Sequence, residues 1–595
     1  MADALIGATI QIILQKMLPL AADGIGMAFG LKEDLKNLRE SAAMIRAVIA
    51  DAEEKQGHDQ AVKLWLKRLE GVAFDADNVL DELNYEFIRK QLQEKVCFFS
   101  FFCDTALHWR MASKVKNVNQ KLKIINQEAI DFGLRSQLMG GGANIAPLPL
   151  PAISRETDSI IRQIVVGRSN DASNLVETLL SSSAKVVSVI PISGMGGLGK
   201  TTLAQLAYND PGIDGHFDTK IWICVSEKFE VTRLFKLVLE SLTKRKVKTE
   251  SRDVIVQDVR KELKWKRYLI VLDDMWDERS QLWDDFFQCL VGITNTQGNW
   301  ILVTTRKLNV ASIVATHPTY RLEILSDDDC WSILIEKAFG GGEVPKELEE
   351  VRTGITKRCQ GLPLAANVIG GLLRIKRKEE WLPIIESGLL HLSENENTVM
   401  QLLKLSFDHL PTASIKKCFA YCSILDKDFL VNKQHLIQLW MAEGFLQASH
   451  NELLEDIGNN HYHILLESSL LQEVRMYDPY LDVNARYAKM HDFVYDLARS
   501  LSGSDSIRGE NCQSRYLVLH SFGEETQMKL NDISTSVSSL ILLESHISGD
   551  ILSNFRYLHV LKLSWVTSEV LPSSIGKLIH LRFLDLSYSR IEALP

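Results

Sequence analysis

The sequence has no long uninterrupted hydrophobic run, no excess of positive charge and no dense cysteine framework. With 46% hydrophobic and 24% charged residues and a net charge of −9 over 595 residues, it is typical of several soluble globular domains, and its charge gives no reason to expect a nucleic-acid partner. The nine cysteines are scattered and odd in number, which favours a reducing, cytoplasmic compartment over secretion. The N-terminal stretch MADALIGATIQIILQKMLPLAA lacks a basic segment before its apolar residues and contains Lys16, so it is neither a good secretory signal nor a clean membrane span.

Three N-terminal segments repeat apolar residues at alternating spacings of three and four, as amphipathic helices do. The repeating positions are Leu31, Leu35, Leu38, Ala42, Ile45, Ile49 and Ala52, then Leu66, Leu69, Ala73, Ala76, Leu80, Leu83 and Phe87, then Val115, Val118, Leu122, Ile125, Ala129 and Phe132. Together with a helix over residues 4–22, they predict a coiled-coil four-helix bundle in residues 1–138. Two interpretations of residues 1–22 stay open: a core helix of the bundle, or a segment that contacts the plasma membrane in an active state.

Composition then changes twice. Residues 139–160 contain Gly140–Gly142 and three alternating prolines, which predict a linker. Short β-rich runs at 186–192, 220–226, 268–274 and 299–305 alternate with helical patterns, which predicts a parallel sheet covered by helices in a nucleotide-binding domain over residues 161–325.

The remaining chain is mostly helical and ends in a repeat. Residues 326–400 and 401–505 predict two helical domains, with a small hairpin near 468–490. Leu558, Leu561, Leu563 and Leu571-Pro572 recur 23 residues later as Leu581, Leu584, Leu586 and Leu594-Pro595, which is the pattern of leucine-rich repeats. Because no polar capping unit follows, we expect residues 515–595 to be a truncated repeat region that includes degenerate repeats between about 515 and 550.

The stretch GMGGLGKTT fits the phosphate-binding pattern GxxxxGK[ST] and lies between a predicted strand and a predicted helix. In this pattern, backbone N–H groups converge on phosphate oxygens, Lys200 reaches the β- and γ-phosphates, and the Thr201 hydroxyl binds Mg²⁺. The predicted nucleotide-binding residues are Gly194, Met195, Gly196, Gly197, Leu198, Gly199, Lys200, Thr201 and Thr202.

Two further strands end in charged residues. The buried run YLIVL precedes Asp273, a predicted Mg²⁺ ligand, and Asp274, a predicted base that orients water. The run WILVTT precedes Arg306, a predicted sensor of the γ-phosphate. The alternatives are acids exposed to solvent at a strand end and a surface arginine.

The order of the motifs resembles the plant nucleotide-binding, leucine-rich-repeat immune receptors of the coiled-coil class. After the P-loop come LDDMW, GLPLA at 361–365, CFAYCSIL at 418–425 and Met490-His-Asp492, and Val166-Gly-Arg168 precedes it. The resemblance implies a winged-helix fold for residues 401–505. It also implies roles in binding ADP or ATP: Val166, Gly167 and Arg168 near the adenine, Pro363 against the base, and His491 on the β-phosphate of ADP.

The acidic stretch AFDADNVLDEL, from Ala73 to Leu83, is similar to the motif by which that family's four-helix domain docks on the rest of the receptor. From the residues alone, a solvated acidic helix face is the alternative.

Nucleotide contacts spread from Lys200 to His491 favour a switch over a motor, because exchange of the nucleotide then changes how the domains pack. The resemblance implies an ADP-locked immune receptor that perceives a pathogen effector or a guarded host protein, exchanges ADP for ATP and self-oligomerises, with slow hydrolysis as a reset. The alternatives are a truncated helper or scaffold that signals through its N-terminal bundle around a structural nucleotide, and a motor-type ATPase.

Overall fold

The computed structural model describes most of the chain. The described residues are 6–20, 31–55, 59–93, 104–134, 165–181, 185–225, 229–245, 247, 249, 251–390, 398–424, 427, 430–447, 452–478, 483–502, 515–519, 537–543, 551–564 and 569–593.

Helices alternate with short strands along the chain. The helices are α1 (Ile6–Leu20), α2 (Lys32–Lys55), α3 (Gln60–Gln93), α4 (Asp104–Asp131), α5 (Ser169–Leu180), α6 (Lys200–Tyr208), α7 (Pro211–His216), α8 (Val231–Thr243), α9 (Arg252–Leu263), α10 (Ser280–Ile293), α11 (Leu308–Val314), α12 (Asp327–Phe339), α13 (Lys346–Glu350), α14 (Arg352–Cys359), α15 (Pro363–Arg374), α16 (Lys378–Ile384), α17 (Thr398–Asp408), α18 (Ala413–Tyr421), α19 (Lys433–Ala442), α20 (Leu454–Glu467) and α21 (Asp492–Ser502). The strands are β1 (Val187–Ser193), β2 (Thr219–Cys224), β3 (Tyr268–Asp273), β4 (Asn299–Thr305), β5 (Tyr320–Arg321), β6 (Val431–Asn432), β7 (Gln472–Asp478), β8 (Val483–Lys489), β9 (Tyr516–Leu519), β10 (Ser539–Leu543), β11 (Val560–Ser564) and β12 (Phe583–Asp585).

The chain forms two compact units, and both are discontinuous in sequence. The P-loop unit comprises Ile153–His409 and Leu466–Val494, and the repeat unit comprises Met1–Ala152, Leu410–Leu465 and Tyr495–Pro595. The segment 401–505 therefore contributes to both units.

The P-loop unit is built on a five-stranded sheet in the order β2-β3-β4-β1-β5. Its pairings are parallel, and β1, β3 and β4 are buried along their whole length. Apolar side chains from helices cover both faces of the sheet and form two separate cores. The α/β fold with a parallel sheet that the alternating pattern predicts is confirmed. Only β5 has no counterpart among the predicted strands, because two residues make no periodic apolar run.

The hairpin of the P-loop unit follows the sheet and its helices in sequence. Strands β7 and β8 pair antiparallel, from Gln472 opposite Lys489 to Asp478 opposite Val483. They coincide with the hairpin predicted near 468–490.

The repeat unit contains the N-terminal helices, whose predicted apolar positions form one core. The indole of Trp65 completes this core and donates to the Ile125 carbonyl at 3.0 Å. Phe132 differs from the prediction, since it is 40% exposed just beyond the end of α4, where the helical periodicity no longer applies. Among the described helices, none is both long and apolar enough to span a membrane.

Four short strands, β9 to β12, form a parallel sheet in the repeat unit. Leu561 lies opposite Leu584, and Leu517 lies opposite Leu540, a displacement of 23 residues in both pairs. Repeated leucines beneath these strands form their own core. Strands β9 and β10 lie where degenerate repeats were predicted.

Candidate nucleotide-binding site

The glycine-rich loop connects the carboxyl end of β1 to the start of α6. Gly199 caps the helix at φ 95°, a left-handed conformation that favours glycine. The Lys200 ammonium turns back into the loop and donates to the carbonyls of Gly194 at 2.9 Å and Met195 at 2.8 Å. The loop is therefore closed around its own lysine, at the end of the helix that attracts anions.

Lys200 is buried enough to titrate abnormally. Burial lowers its pKa to about 8, and the charge of Arg306 contributes in the same direction, while Asp274 and Asp273 oppose the shift. A phosphate group at this position would supply the negative charge that restores the ammonium form.

The two predicted Mg²⁺ ligands lie side by side. The Thr201 hydroxyl donates to Asp273 Oδ1 at 2.9 Å, and the Thr304 hydroxyl donates to the same oxygen at 2.5 Å. Burial raises the pKa of Asp273, although both hydroxyls oppose the shift. Adjacent oxygens around an octahedral Mg²⁺, with bonds of 2.0–2.1 Å, are about 2.9 Å apart, so Thr201 and Asp273 have a spacing that fits the ion.

Asp274 is held in an unusual backbone conformation at φ 57°. Its N–H donates to the Thr304 hydroxyl at 2.8 Å, and its Oδ2 accepts from the Trp276 indole at 2.8 Å. Its other oxygen is 3.7 Å from the Arg306 guanidinium, which also lies over the Trp276 ring. Asp274 and Arg306, predicted from separate strands, are thus brought together.

The segment 490–493 packs on this edge of the sheet. Arg306 makes an ion pair with the buried Asp492 carboxylate, and its guanidinium lies 5.6 Å from the Phe493 ring. A Cβ at Gly196 would lie 2.6 Å from Phe493, so the loop and this ring approach as closely as glycine permits. His491 stacks on Phe493 and accepts from its N–H at 3.4 Å.

The segment GLPLA contacts the other side of the loop. The Leu364 N–H donates to the Gly197 carbonyl at 3.3 Å, and a Cβ at Gly197 would lie 2.9 Å from Leu364. Pro363 is the nearest neighbour of Gly199, at 4.0 Å from where a Cβ would be. Pro363 therefore lies at the loop, and its place against the base stays a prediction.

Arg168 supports the loop from behind. Its buried guanidinium donates to the carbonyls of Leu198 at 3.0 Å and Glu323 at 2.9 Å, and it pairs with Asp171 at 3.0 Å. Val166 and Gly167 precede it at the start of the unit, next to α5. Arg168 therefore holds the loop in position, which is a different role from the predicted contact near the adenine.

Some predicted residues face outward and some important ones are absent from the prediction. Met195 is 57% exposed, and Thr202 is half-buried on α6. Sequence reasoning missed Thr304, Leu364 and Phe493. Thr304 and Leu364 lie inside the quoted runs WILVTT and GLPLA, and Phe493 directly follows Met490-His-Asp492, but no spacing rule marks any of them as a contact.

Comparisons with known proteins identify three domain families and several relatives of the chain. Three family descriptions match the chain: the NB-ARC domain at residues 168–342, the Rx N-terminal domain at residues 9–104 and the disease resistance protein winged helix domain at residues 424–498. The disease resistance protein RGA2 of Solanum bulbocastanum is 35% identical over 581 residues, which are 96% of this chain and 56% of that protein. Disease resistance RPP13-like protein 4 of Arabidopsis thaliana is 33% identical over 451 residues, 71% of this chain and 51% of that protein. The chain thus spans about half the length of these relatives.

Proposed function

Because the chain belongs to the coiled-coil class of plant nucleotide-binding disease resistance proteins, we propose that it is an immune receptor controlled by the exchange of ADP for ATP. ADP holds the closed state. Perception of a pathogen effector or a guarded host protein releases it, and ATP then favours a signalling state that self-oligomerises and triggers defence.

The ion pair between Arg306 and Asp492 carries this proposal. Arg306 lies beside the phosphate loop, since a Cβ at Gly196 would be 3.1 Å from its guanidinium. In the proposed switch, a γ-phosphate draws the guanidinium away from Asp492. ATP therefore competes with the 490–493 segment for Arg306, whereas ADP, which lacks the third phosphate, leaves the pair intact.

The other site residues take supporting roles in the proposal. The loop from Gly194 to Thr202 cradles the phosphates, Val166 to Arg168 and Pro363 border the base, and His491 contacts the β-phosphate of ADP. Thr201 and Asp273 hold Mg²⁺. Asp274 orients water for a slow hydrolysis that resets the switch.

The proposed receptor works in the cytoplasm. In its active state, residues 1–22 contact the plasma membrane and further copies of the chain assemble with it. Nucleic acid is not a proposed partner, since the chain carries a net charge of −9.

The test compares nucleotide content with signalling in leaves that express the full chain. Asp492→Val and His491→Ala should cause cell death without a pathogen and should shift the co-purified nucleotide from ADP to ATP. Lys200→Arg should abolish signalling, alone and combined with Asp492→Val. The control is Asp496→Asn, which removes an exposed carboxylate one helical turn further along α21.

The outcomes separate the alternatives. A silent Asp492→Val variant with unchanged ADP would refute the switch. Signalling by Lys200→Arg, with no nucleotide bound, would favour a scaffold that acts through its N-terminal helices. Rapid turnover of ATP by the purified chain would favour a motor.

A further inference from the structure

One carboxylate and two imidazoles converge inside the repeat unit. Asp81 lies on α3, His559 directly precedes β11, and His580 lies three residues before β12. One ligand atom from each of these side chains lies within 4.8 Å of the other two. The parallel sheet fixes the two histidines just before neighbouring strands, since the backbone N–H groups of Arg582 and Phe583 both donate to the His559 carbonyl.

The distances between the carboxylate oxygen and the two imidazole nitrogens are those found between ligand atoms of one metal ion. Asp81 Oδ2 lies 3.5 Å from His559 Nε2 and 3.6 Å from His580 Nδ1. These distances exceed the 2.7–3.2 Å of ordinary hydrogen bonds. A tetrahedral Zn²⁺ with bonds of 2.0–2.1 Å holds its ligand atoms about 3.4 Å apart. A cation therefore fits among the three atoms with little movement.

His559 is a buried side chain without hydrogen bonds. It is 1% exposed, and neither ring nitrogen has a hydrogen-bond partner. Such orphaned polar atoms are costly inside a protein and call for an explanation. A metal bound to Nε2 would satisfy one nitrogen and fix the proton on the other.

The second nitrogen of His559 faces a carboxylate. Its Nδ1 lies 3.7 Å from Glu443 Oε2. The Glu443 carboxylate is itself held in place by the hydroxyls of Ser539 at 2.5 Å and Ser538 at 3.1 Å. A movement of less than 1 Å would bring these two atoms within hydrogen-bond distance, and a carboxylate so placed orients a metal-binding histidine and increases its basicity.

Arg582 is the competing cation. Its guanidinium contacts Asp81 Oδ2 and also donates to the Ala442 carbonyl at 3.1 Å. A carboxylate oxygen has two lone pairs, so one can bind a metal while the other accepts from arginine.

We propose that Asp81, His559 and His580 bind a divalent transition cation of the zinc type, with Glu443 orienting His559 and water as a further ligand. The site joins α3 to the strands β11 and β12 within the repeat unit. It does not depend on the proposed nucleotide switch, because none of its residues belongs to the P-loop unit.

The experiment titrates the metal-stripped full chain with ZnCl₂ in competition with a coloured chelator. One equivalent of zinc should bind per chain. Asp81→Asn and His580→Gln should each weaken binding by about a hundredfold or more, and Glu443→Gln should weaken it by about tenfold. His216→Gln, a histidine of the other unit, serves as the matched control. Co²⁺ should give the visible absorption typical of tetrahedral coordination. Circular dichroism and a cooperative thermal transition of the repeat unit report that each variant is folded.

Arg582→Gln distinguishes a metal site from an ion-pair cluster. If the proposal is right, loss of the guanidinium leaves zinc binding equal or tighter, because a competing positive charge is removed. Absence of stoichiometric zinc in the folded wild-type chain would overturn the proposal. Zinc binding that is as strong in Asp81→Asn and His580→Gln as in the His216→Gln control would also overturn it. That result would identify an adventitious ion.

Discussion

Lys200 is a partly desolvated cation whose charged form a bound anion would stabilise. Burial lowers its pKa to about 8. Since the pKa in the folded chain is below the unfolded value of 10.5, this group opposes folding at pH values below 8. That cost disappears as the pH rises from about 8 to 10.5, because the folded chain then carries a neutral amine.

ADP binding should take up a proton above about pH 8. A phosphate beside Lys200 favours its charged form and raises the pKa again, so a neutral amine in the free chain becomes an ammonium in the complex. Calorimetric titration at about pH 9 in two buffers of different ionisation enthalpy measures this uptake. If it binds ADP at all, Lys200→Arg should show no uptake from this position, because arginine stays charged. Binding heats of the wild-type chain that do not depend on the buffer would contradict the expectation.

The sequence is sufficient for the residues whose chemistry repeats in motifs. The spacing of Gly194, Lys200 and Thr201 predicts a phosphate loop, and the acid at the end of β3 predicts a second Mg²⁺ ligand. In the structure this acid, Asp273, accepts a hydrogen bond from Thr201. Phe493 and Leu364 could not be predicted in this way. They contact the loop through tertiary packing, and an apolar residue beside a motif is indistinguishable from one in any core.

Helix α15 packs closely against residues 467–468 because Gly371 has no side chain. A Cβ on Gly371 would lie 2.5 Å from the Glu467 carbonyl oxygen and 2.8 Å from the Ser468 carbonyl carbon, both backbone atoms that cannot rotate away. Ser469 reinforces the contact by donating to the Asn367 carbonyl at 3.1 Å. Close backbone approach thus fixes the start of the hairpin segment against α15.

Gly371→Ala should therefore destabilise the P-loop unit by about 1–3 kcal/mol through overpacking, despite the higher helix propensity of alanine. Gly292→Ala is the matched control on α10, where nothing lies within 4 Å of the added carbon. It should leave stability unchanged or raise it by up to about 1 kcal/mol. Denaturant unfolding of both variants measures the difference. Equal midpoints would show that the helix and the segment after α20 can separate without cost.

Elements were predictable where periodicity is long. Four of the five strands of the sheet and the three long N-terminal helices follow from apolar runs that bury one stripe or two faces. Strand β5 could not be predicted, because two residues make no periodic apolar run, and the exposure of Phe132 could not, because it lies just beyond the end of α4.

At the scale of the whole molecule, each unit holds one proposed ligand site. The P-loop unit contains the nucleotide site, and the repeat unit contains the Asp81 cluster. A ligand that binds only a folded unit stabilises that unit by mass action. The two sites therefore offer separate probes of the chain.

Calorimetric unfolding of the full chain should respond to both ligands. ADP at a hundredfold excess over its Kd should stabilise the P-loop unit by about 2.7 kcal/mol, and zinc should stabilise the repeat unit. Lys200→Arg should remove the response to ADP but keep the response to zinc. His580→Gln should remove the response to zinc but keep the response to ADP. A full response to ADP in Lys200→Arg would refute the assigned nucleotide site.

The order of domains could be predicted from the sequence, but the division into compact units could not. Residues 401–505 read as one helical segment, yet the chain passes between units three times there: just after α17, within α20 and within α21. Helical periodicity indicates that one face of a helix is buried, but it does not indicate which other element covers that face.

The close approach of Phe493 to Gly196 has a genetic consequence. In the proposed switch, one loop holds the phosphates with Lys200 and receives the Phe493 ring at Gly196, four residues earlier. Alleles within this loop should therefore fall into opposite classes. Loss of the lysine gives a recessive, silent receptor, whereas a bulkier residue at position 196 displaces the ring and gives a dominant, constitutive one.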